Sequence, residues 1–157
     1  MAIEKVRDYF RRQGMEDQIL EFPVSSATVE LAAAALGCEP CRIAKSLAFK
    51  VGDGAVLVVA AGDARIDNRK FKAFFGTKAA MPHGDEVEAL IGHAVGGVCP
   101  FAVNDGVRVY LDESLKRFET VYPACGSANS AIRLTIPQLE EHSGYVAWID
   151  VSKDKEA

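Results

Sequence analysis

The chain is poor in the residues that build the commonest catalytic and metal centres. It has three histidines, His83, His93 and His142, and none of them sits in a nucleophile-elbow pattern with a serine or cysteine. A Ser-His-Asp arrangement is not legible, and the histidines read as structural or solvent-facing. Four cysteines in 157 residues are few, and in a reducing compartment they stay thiols. Cys38-Glu39-Pro40-Cys41 has zinc-ligand spacing, but Cys99 and Cys125 stand alone and no second pair completes a four-cysteine site. The pair reads as two small apolar residues at a helix-to-strand junction, with a metal or redox role as the minority alternative. No apolar run is long enough to span a bilayer, and Glu4, Lys5, Arg7 and Asp8 interrupt any apolar stretch of a secretory leader. The expectation is a soluble cytoplasmic protein with no membrane partner, metal or cofactor. Repeats, low-complexity tracts and Pro/Gly/Ser linkers are also missing. Residues 1–157 therefore read as one domain, with a core drawn from the 49% of apolar residues.

Charge is unevenly spread. The net charge of −4 argues against indiscriminate nucleic-acid binding. Between Arg42 and Lys78, however, eight basic side chains face three acidic ones, a local +5, whereas the rest of the chain has ten against nineteen. Such a segment could meet a short piece of nucleic acid; the alternative is an ordinary solvated face.

Apolar periodicity and breakers predict the elements. Ala2–Gln13 reads as an amphipathic helix ending at Gly14. Ile19–Phe22 reads as a strand. Ser25 or Ser26 can cap a helix through Val29, Leu31 and Leu36 that Gly37 stops. Arg42–Val51 and Ala55–Ala61 form a hairpin about Gly52-Asp53-Gly54. Asn68–Phe75 is a basic helix ending at Gly76, and Asp85–Ile91 a helix closed by Gly92. Ala94–Val98, Val107–Leu111, Thr120–Tyr122, Ala131–Leu134 and Val146–Val151 read as strands. Pro137 opens a helix through Glu141, and Ser152–Ala157 reads as a frayed tail. Strands and helices mix without strict alternation, which predicts an α+β fold with a mixed sheet.

Three segments carry candidate chemistry. Gly96-Gly97-Val98-Cys99-Pro100 interrupts an apolar run. Its glycines expose backbone N–H groups to a ligand and Pro100 restrains Cys99 to an extended conformation. Such N–H groups suit a carbonyl oxygen or a phosphate; a tight turn is the plainer reading. In Arg42–Phe49, alternation places Ile43, Lys45 and Leu47 on one face and Ala44, Ser46 and Ala48 on the other. A lysine on an apolar face either meets an anion in a cleft or snorkels at a sheet edge. Tyr122, Cys125, Ser127 and Asn129 surround Gly126 between two strands, where they could line a cleft or simply make a turn. Asp112-Glu113-Ser114 reads as a strand end and helix cap.

Together these segments resemble the YbaK/prolyl-tRNA-synthetase-associated editing domain superfamily, from about Ser25 to Val151. Lys45 is similar to that family's lysine in a K-[ST/N]-L strand, Gly96–Pro100 to its GxxxP loop, and Asp112-Glu113-Ser114-Leu115 to the motif that follows. Pro123–Ile132, the helix of Leu139 and Trp148-Ile149-Asp150-Val151 look most like the EbsC-type free-standing members. The resemblance implies a mixed, partly barrel-like sheet surrounded by helices. It implies hydrolysis of wrongly charged aminoacyl-tRNA, often tRNA for proline, with the tRNA 3′ end as partner and a synthetase as a further one. Lys45 would hold a phosphate of that end. Gly96 and Gly97 would stabilise the oxyanion, and Ser46, Val98, Cys99, Pro100, Tyr122, Cys125, Gly126, Ser127 and Asn129 would line the substrate site. Size exclusion would spare the correct ester.

The departures bear on specificity. Ala124 and Ala131 stand where the cysteine-specific branch carries Ser and Asp. Ser46 and Tyr122 stand where the alanine-specific branch has Asn and His. Three readings follow: a trans-acting deacylase for a small amino acid, a non-catalytic module binding a tRNA end or nucleotide, and the cysteine-pair metal or redox protein.

Overall fold

In a computed structural model, which describes residues 2–154, the elements run α1 (Ala2–Arg12), β1 (Ile19–Glu21), α2 (Val29–Leu36), β2 (Ile43–Val51), β3 (Gly54–Ala61), β4 (Ala64–Ile66), α3 (Asn68–Phe75), α4 (Gly84–Ile91), β5 (Arg108–Asp112), β6 (Thr120–Pro123), β7 (Ser130–Ile132), β8 (Leu134–Thr135), α5 (Ile136–Ser143), β9 (Ala147–Ile149) and β10 (Ser152–Asp154). Six strands form one mixed sheet in the order β8-β6-β2-β3-β5-β9. The β2–β3 and β6–β8 pairs are antiparallel; β2–β6, β3–β5 and β5–β9 are parallel. The sheet curls into a half-barrel flanked by helices, as the resemblance implies. Two short ribbons, β1–β7 and β4–β10, complete the strands among the described residues.

Sequence pattern explains the layers. The hairpin turns at Gly52, whose φ of +59° suits a two-residue loop closed by the Val51–Gly54 pair. Every residue of β3 from Ala55 to Ala61 is buried, because helices cover both faces of the sheet centre. On one face Ala44, Ala48, Leu57, Val59 and Leu111 pack with Val6 and Phe10 of α1 and Leu139 of α5. On the other, Phe49, Val56, Val58 and Tyr110 pack with Phe71 of α3. Ala32 and Ala33 of α2 close on Ile43 in a smaller cluster. Asp67 caps α3 by accepting from the Arg69 and Lys70 N–H groups, and Gly76 ends it at φ +75°.

Three expectations need correction. The cap of α2 is Thr28, which accepts from Leu31 N at 3.1 Å. Ser25 Oγ instead accepts from Ala27 N, and the Ser26 N–H goes to Ala128 O. Residues 94–98 are not a strand: the Gly97 N–H turns back to Ala94 O at 3.0 Å, and Gly96 takes φ +95°, outside the extended region. Nor does the tail start to fray at Ser152, since β10 pairs with β4 from Ser152↔Ile66 to Asp154↔Ala64. Residues 155–157 lie outside the described part. The Asp112-Glu113-Ser114 segment does cap: the Asp112 carboxylate accepts from Ser114 N and opens the 3-10 turn Glu113–Arg117.

Candidate active site

A cavity opens where the sheet splays. Strand β6 pairs with β2 only at Ile43↔Tyr122 and Ala44↔Pro123, so the rest of that β2 edge is left without a strand neighbour. The gap is a cavity of ≈ 320 Å³. Its walls are the β2 edge, the chain entering α2 at Ala27–Val29, the turn at Val95-Gly96, and the small side chains Ala124 and Ala131. Lys45 and Tyr122 are the only titratable side chains among the lining residues.

Lys45 and Ser46 both line it, from opposite faces of β2. The Lys45 ammonium donates to the Ala64 carbonyl at the start of β4. Asp63, next in the chain, is gripped by Arg117, with Nη1–Oδ2 at 3.0 Å and Nη2–Oδ1 at 2.5 Å. The Arg117 hydrogen bonds hold the Asp63 carboxyl below its ordinary range against the opposing effect of burial, and the charge of Lys45 adds to the lowering. Ser46 Oγ is buried and has no hydrogen-bond partner. In an apolar cavity such a hydroxyl is costly unless a ligand or water satisfies it. The Arg42 guanidinium lies 5.8 Å from the centre of the Tyr122 ring.

The glycine loop is packed backbone on backbone. Gly96 lines the cavity, and a Cβ there would lie 3.2 Å from the Ala27 Cβ and 3.4 Å from the Ala128 Cβ. A Cβ on Gly97 would lie 2.6 Å from the Gly126 carbonyl carbon and the Ser127 nitrogen. Gly126 in turn sits against Ala2 and Ile3 of α1, with φ +95°. These glycines let three segments stack and hold the Gly96 turn against the cavity. Gly97→Ala is therefore expected to cost about 2 kcal/mol of stability, read as a shift in the denaturant midpoint. An unchanged midpoint would show that the loop can move aside.

Of the residues singled out from sequence, Lys45, Ser46, Gly96, Val98 and Tyr122 meet at the cavity. Gly97, Cys99, Pro100, Cys125, Gly126, Ser127 and Asn129 are not among its lining. Cys99 is wholly buried, its Sγ 3.5 Å from His93 Nε2, and burial pushes its thiol up to about 12. Burial also raises the Cys125 thiol. Both belong to the main core. Ser127 Oγ lies 2.7 Å from Ser130 Oγ, and Asn129 Nδ2 donates to Phe22 O, tying β7 to the chain before α2. Cys38 precedes the 3-10 turn Pro40–Arg42 and Cys41 lies within it, with thiols raised mainly by burial. His93 and His142 are buried, and His83 is exposed at the start of α4. His93 bonds Phe101 O at 2.6 Å, His142 Nδ1 meets the Tyr9 hydroxyl at 2.9 Å, and the His83 N–H is capped by Glu86.

Several wall residues escaped the sequence reading. Ala44 and Ala48 share the face of Ser46 and could have been found by alternation. Ala27, Thr28, Met81 and Pro82 arrive from distant segments, and no local signal marks them.

Known proteins share the sequence pattern and the fold of this chain. The sequence model of the aminoacyl-tRNA editing domain family matches residues 24–142, a span that holds every lining residue of the cavity. The protein YwhH of Bacillus subtilis (strain 168), which is uncharacterized, is 53% identical over 157 residues, covering 99% of this chain and 100% of its own length. A proline–tRNA ligase of Bacillus cereus (strain AH820) is 28% identical over 102 residues, covering 64% of this chain but only 18% of the ligase. The crystal structure of a candidate trans-editing enzyme for prolyl tRNA synthetase superposes with a TM-score of 0.85 and 31% identity, covering 97% of each chain. Among the described residues no helix is long and apolar enough to cross a membrane.

Proposed function

The chain belongs to the aminoacyl-tRNA editing domain family, and on that premise we propose that it is a trans-acting deacylase that removes a small non-cognate amino acid from tRNA, with tRNA for proline as the first candidate. The observation that carries the reading is the placement of one lysine and one glycine turn on the same small apolar cavity. The cavity can admit an aminoacyl ester but no folded part of a tRNA. Lys45 holds a phosphate of the 3′ end by a charge-assisted hydrogen bond. Backbone at Gly96 orients the ester carbonyl and stabilises the oxyanion that forms on it, while Gly97, whose N–H is donated to Ala94 O, holds that turn in place. A water, assisted by the neighbouring ribose hydroxyl, attacks the carbonyl carbon. The ester C–O bond then breaks, and the departing ribose oxygen takes the proton. The reaction calls for no protein nucleophile, because the ester is already activated and positioning lowers the barrier. Alanines at 44, 48, 124 and 131 give the cavity apolar walls suited to an uncharged side chain.

The test is a deacylation screen of the protein against tRNA for proline carrying alanine, cysteine, serine, threonine, 2-aminobutyrate or proline. Selective loss of a non-cognate ester is the expected result. Stability of every ester, together with salt-sensitive binding of the tRNA, would overturn it in favour of a non-catalytic module. That second reading draws on the absence of any carboxylate, histidine or cysteine from the cavity lining.

Ser46 offers an independent check. Its hydroxyl is buried without a hydrogen-bond partner beside the cavity, and on the proposed reading it turns to a polar group of the substrate. Ser46→Ala should lower kcat/KM about tenfold while leaving stability unchanged or slightly higher, since it removes an unsatisfied polar group. A drop in stability with no change in kcat/KM would assign Ser46 to the fold alone.

A further inference from the structure

The turn between β3 and β4 places an acidic side chain beside the lysine that the proposed reaction uses as a cation. Asp63 precedes Ala64, whose carbonyl receives the Lys45 ammonium. Neither Asp63 nor Arg117 lines the cavity, yet the guanidinium of Arg117 takes both carboxylate oxygens of Asp63. The backbone around this pair is held from two sides. A Cβ on Gly62 would lie 2.1 Å from Pro40 O, so the turn rests directly on the Pro40–Arg42 turn. The Ala61 N–H donates to Ser114 Oγ at 3.0 Å, and Arg117 Nε donates to Ser114 O at 2.9 Å. Ser114 thus anchors both the approach to Asp63 and the arginine that grips it. With the backbone fixed, removal of Arg117 would leave the Asp63 carboxylate free to turn only about its own side-chain torsions. The Lys45 charge already contributes to lowering the Asp63 carboxyl.

We propose that Arg117 is a positioning residue for Lys45: by occupying both oxygens of Asp63 it stops that carboxylate from closing on the Lys45 ammonium and competing with an incoming phosphate. The inference rests on the reading of Lys45 as the phosphate anchor. Without Arg117, the carboxylate would act as an internal anion at the mouth of the site. RNA would then have to displace it, and affinity would fall while the chemical step at the glycine turn stayed intact. A bidentate guanidinium suits this task, because a lysine ammonium cannot hold both oxygens in one plane.

The experiment measures KM and kcat for the ester hydrolysed best, together with the Kd of an uncharged RNA acceptor-stem minihelix ending in CCA. Arg117→Gln is expected to raise KM and Kd about five- to tenfold at low salt, with kcat within about twofold, and the effect should shrink as salt screens the freed charge. Arg117→Lys should fall between. The deciding variant is the double Arg117→Gln, Asp63→Asn, which removes the competing charge and should restore KM and Kd. A merely structural ion pair would show its loss and its rescue in the melting temperature, whereas here KM and Kd should move and recover while the melting temperature stays within about 3 °C. Unchanged Kd in Arg117→Gln, or a double variant no better than the single one, overturns the proposal. If Arg117→Gln does not fold, Arg117→Lys with and without Asp63→Asn decides by the same rescue. Lys45→Ala on the same minihelix separates the two levels. If it leaves Kd unchanged, the phosphate-anchor reading itself fails. If it weakens binding while the Arg117 variants do not, only the present inference fails.

Discussion

Lys45→Ala is expected to lower kcat/KM for the hydrolysed ester about 100-fold, with the melting temperature falling by about 4 °C at most. The asymmetry follows from where the side chain spends its interactions. In the fold, the ammonium donates to the Ala64 carbonyl beside the cavity. Losing one such bond from a half-buried lysine costs the fold about 1 kcal/mol. In the proposed complex the same ammonium meets a phosphate, and a charge-assisted bond of that kind contributes about 1.5–3 kcal/mol in a site partly shielded from water. Its loss should also flatten the salt dependence, since each phosphate contact on a single strand contributes about 0.7 to the slope of log affinity against log salt. Lys45→Arg keeps the charge but brings a wider, planar head into a site lined by β2 backbone, so only partial activity is expected. Near-normal turnover by Lys45→Ala, with an unchanged salt slope, would remove the lysine from the mechanism.

The part of this site that could be read from sequence is the part built within one strand or one turn. Alternation along Ile43–Phe49 placed Lys45 and Ser46 on opposite faces, and both contribute to the cavity. The glycines at 96 and 97 were legible as places where backbone comes close to something, and Gly126 as a turn, but not what each comes close to. Gly96 borders the cavity, whereas Gly97 meets the backbone at Gly126 and Gly126 meets α1. A glycine reports freedom of approach and says nothing of the approaching partner. The same limit explains the reading of 94–98 as a strand: apolar composition suits β structure, but a left-handed φ at Gly96 turns the chain back. Glycine stops located the ends of α3 and α4, at Gly76 and Gly92. The β4–β10 ribbon went unread because its two strands have three residues each and stand far apart in the chain. Apolar periodicity over three residues carries almost no information.

Asp112→Ala is expected to be the most destabilising single change considered, at about 3–5 kcal/mol, or about 10 °C in melting temperature. Asp112 is wholly buried at the end of β5. Its two oxygens receive the Ser114 N–H at 3.0 Å, the Val151 N–H at 3.0 Å and the Ser152 hydroxyl at 2.6 Å. Alanine would leave all three donors without an acceptor in a place that water does not reach freely, and each buried orphan costs more than the bond was worth. Asp112→Asn keeps the shape but turns one acceptor into an NH₂ group facing a donor, so an intermediate loss is expected. The damage should also have a direction. Val151 O accepts from the Asp67 N–H ahead of α3, and β10 lies on β4, whose Ala64 carbonyl holds Lys45. Through Ser114, the same carboxylate steadies the hydroxyl that accepts from Ala61 N. Slackening Asp112 therefore loosens the floor beneath Lys45 from two sides. Hydrogen exchange in Asp112→Asn should show faster exchange at Ser152–Asp154 and Ala64–Ile66 than in the β2–β3 hairpin, together with reduced kcat/KM at temperatures where the protein remains folded. Uniform loss of protection across the sheet, with activity retained, would mean that the carboxylate supports the core as a whole and has no particular bearing on the site.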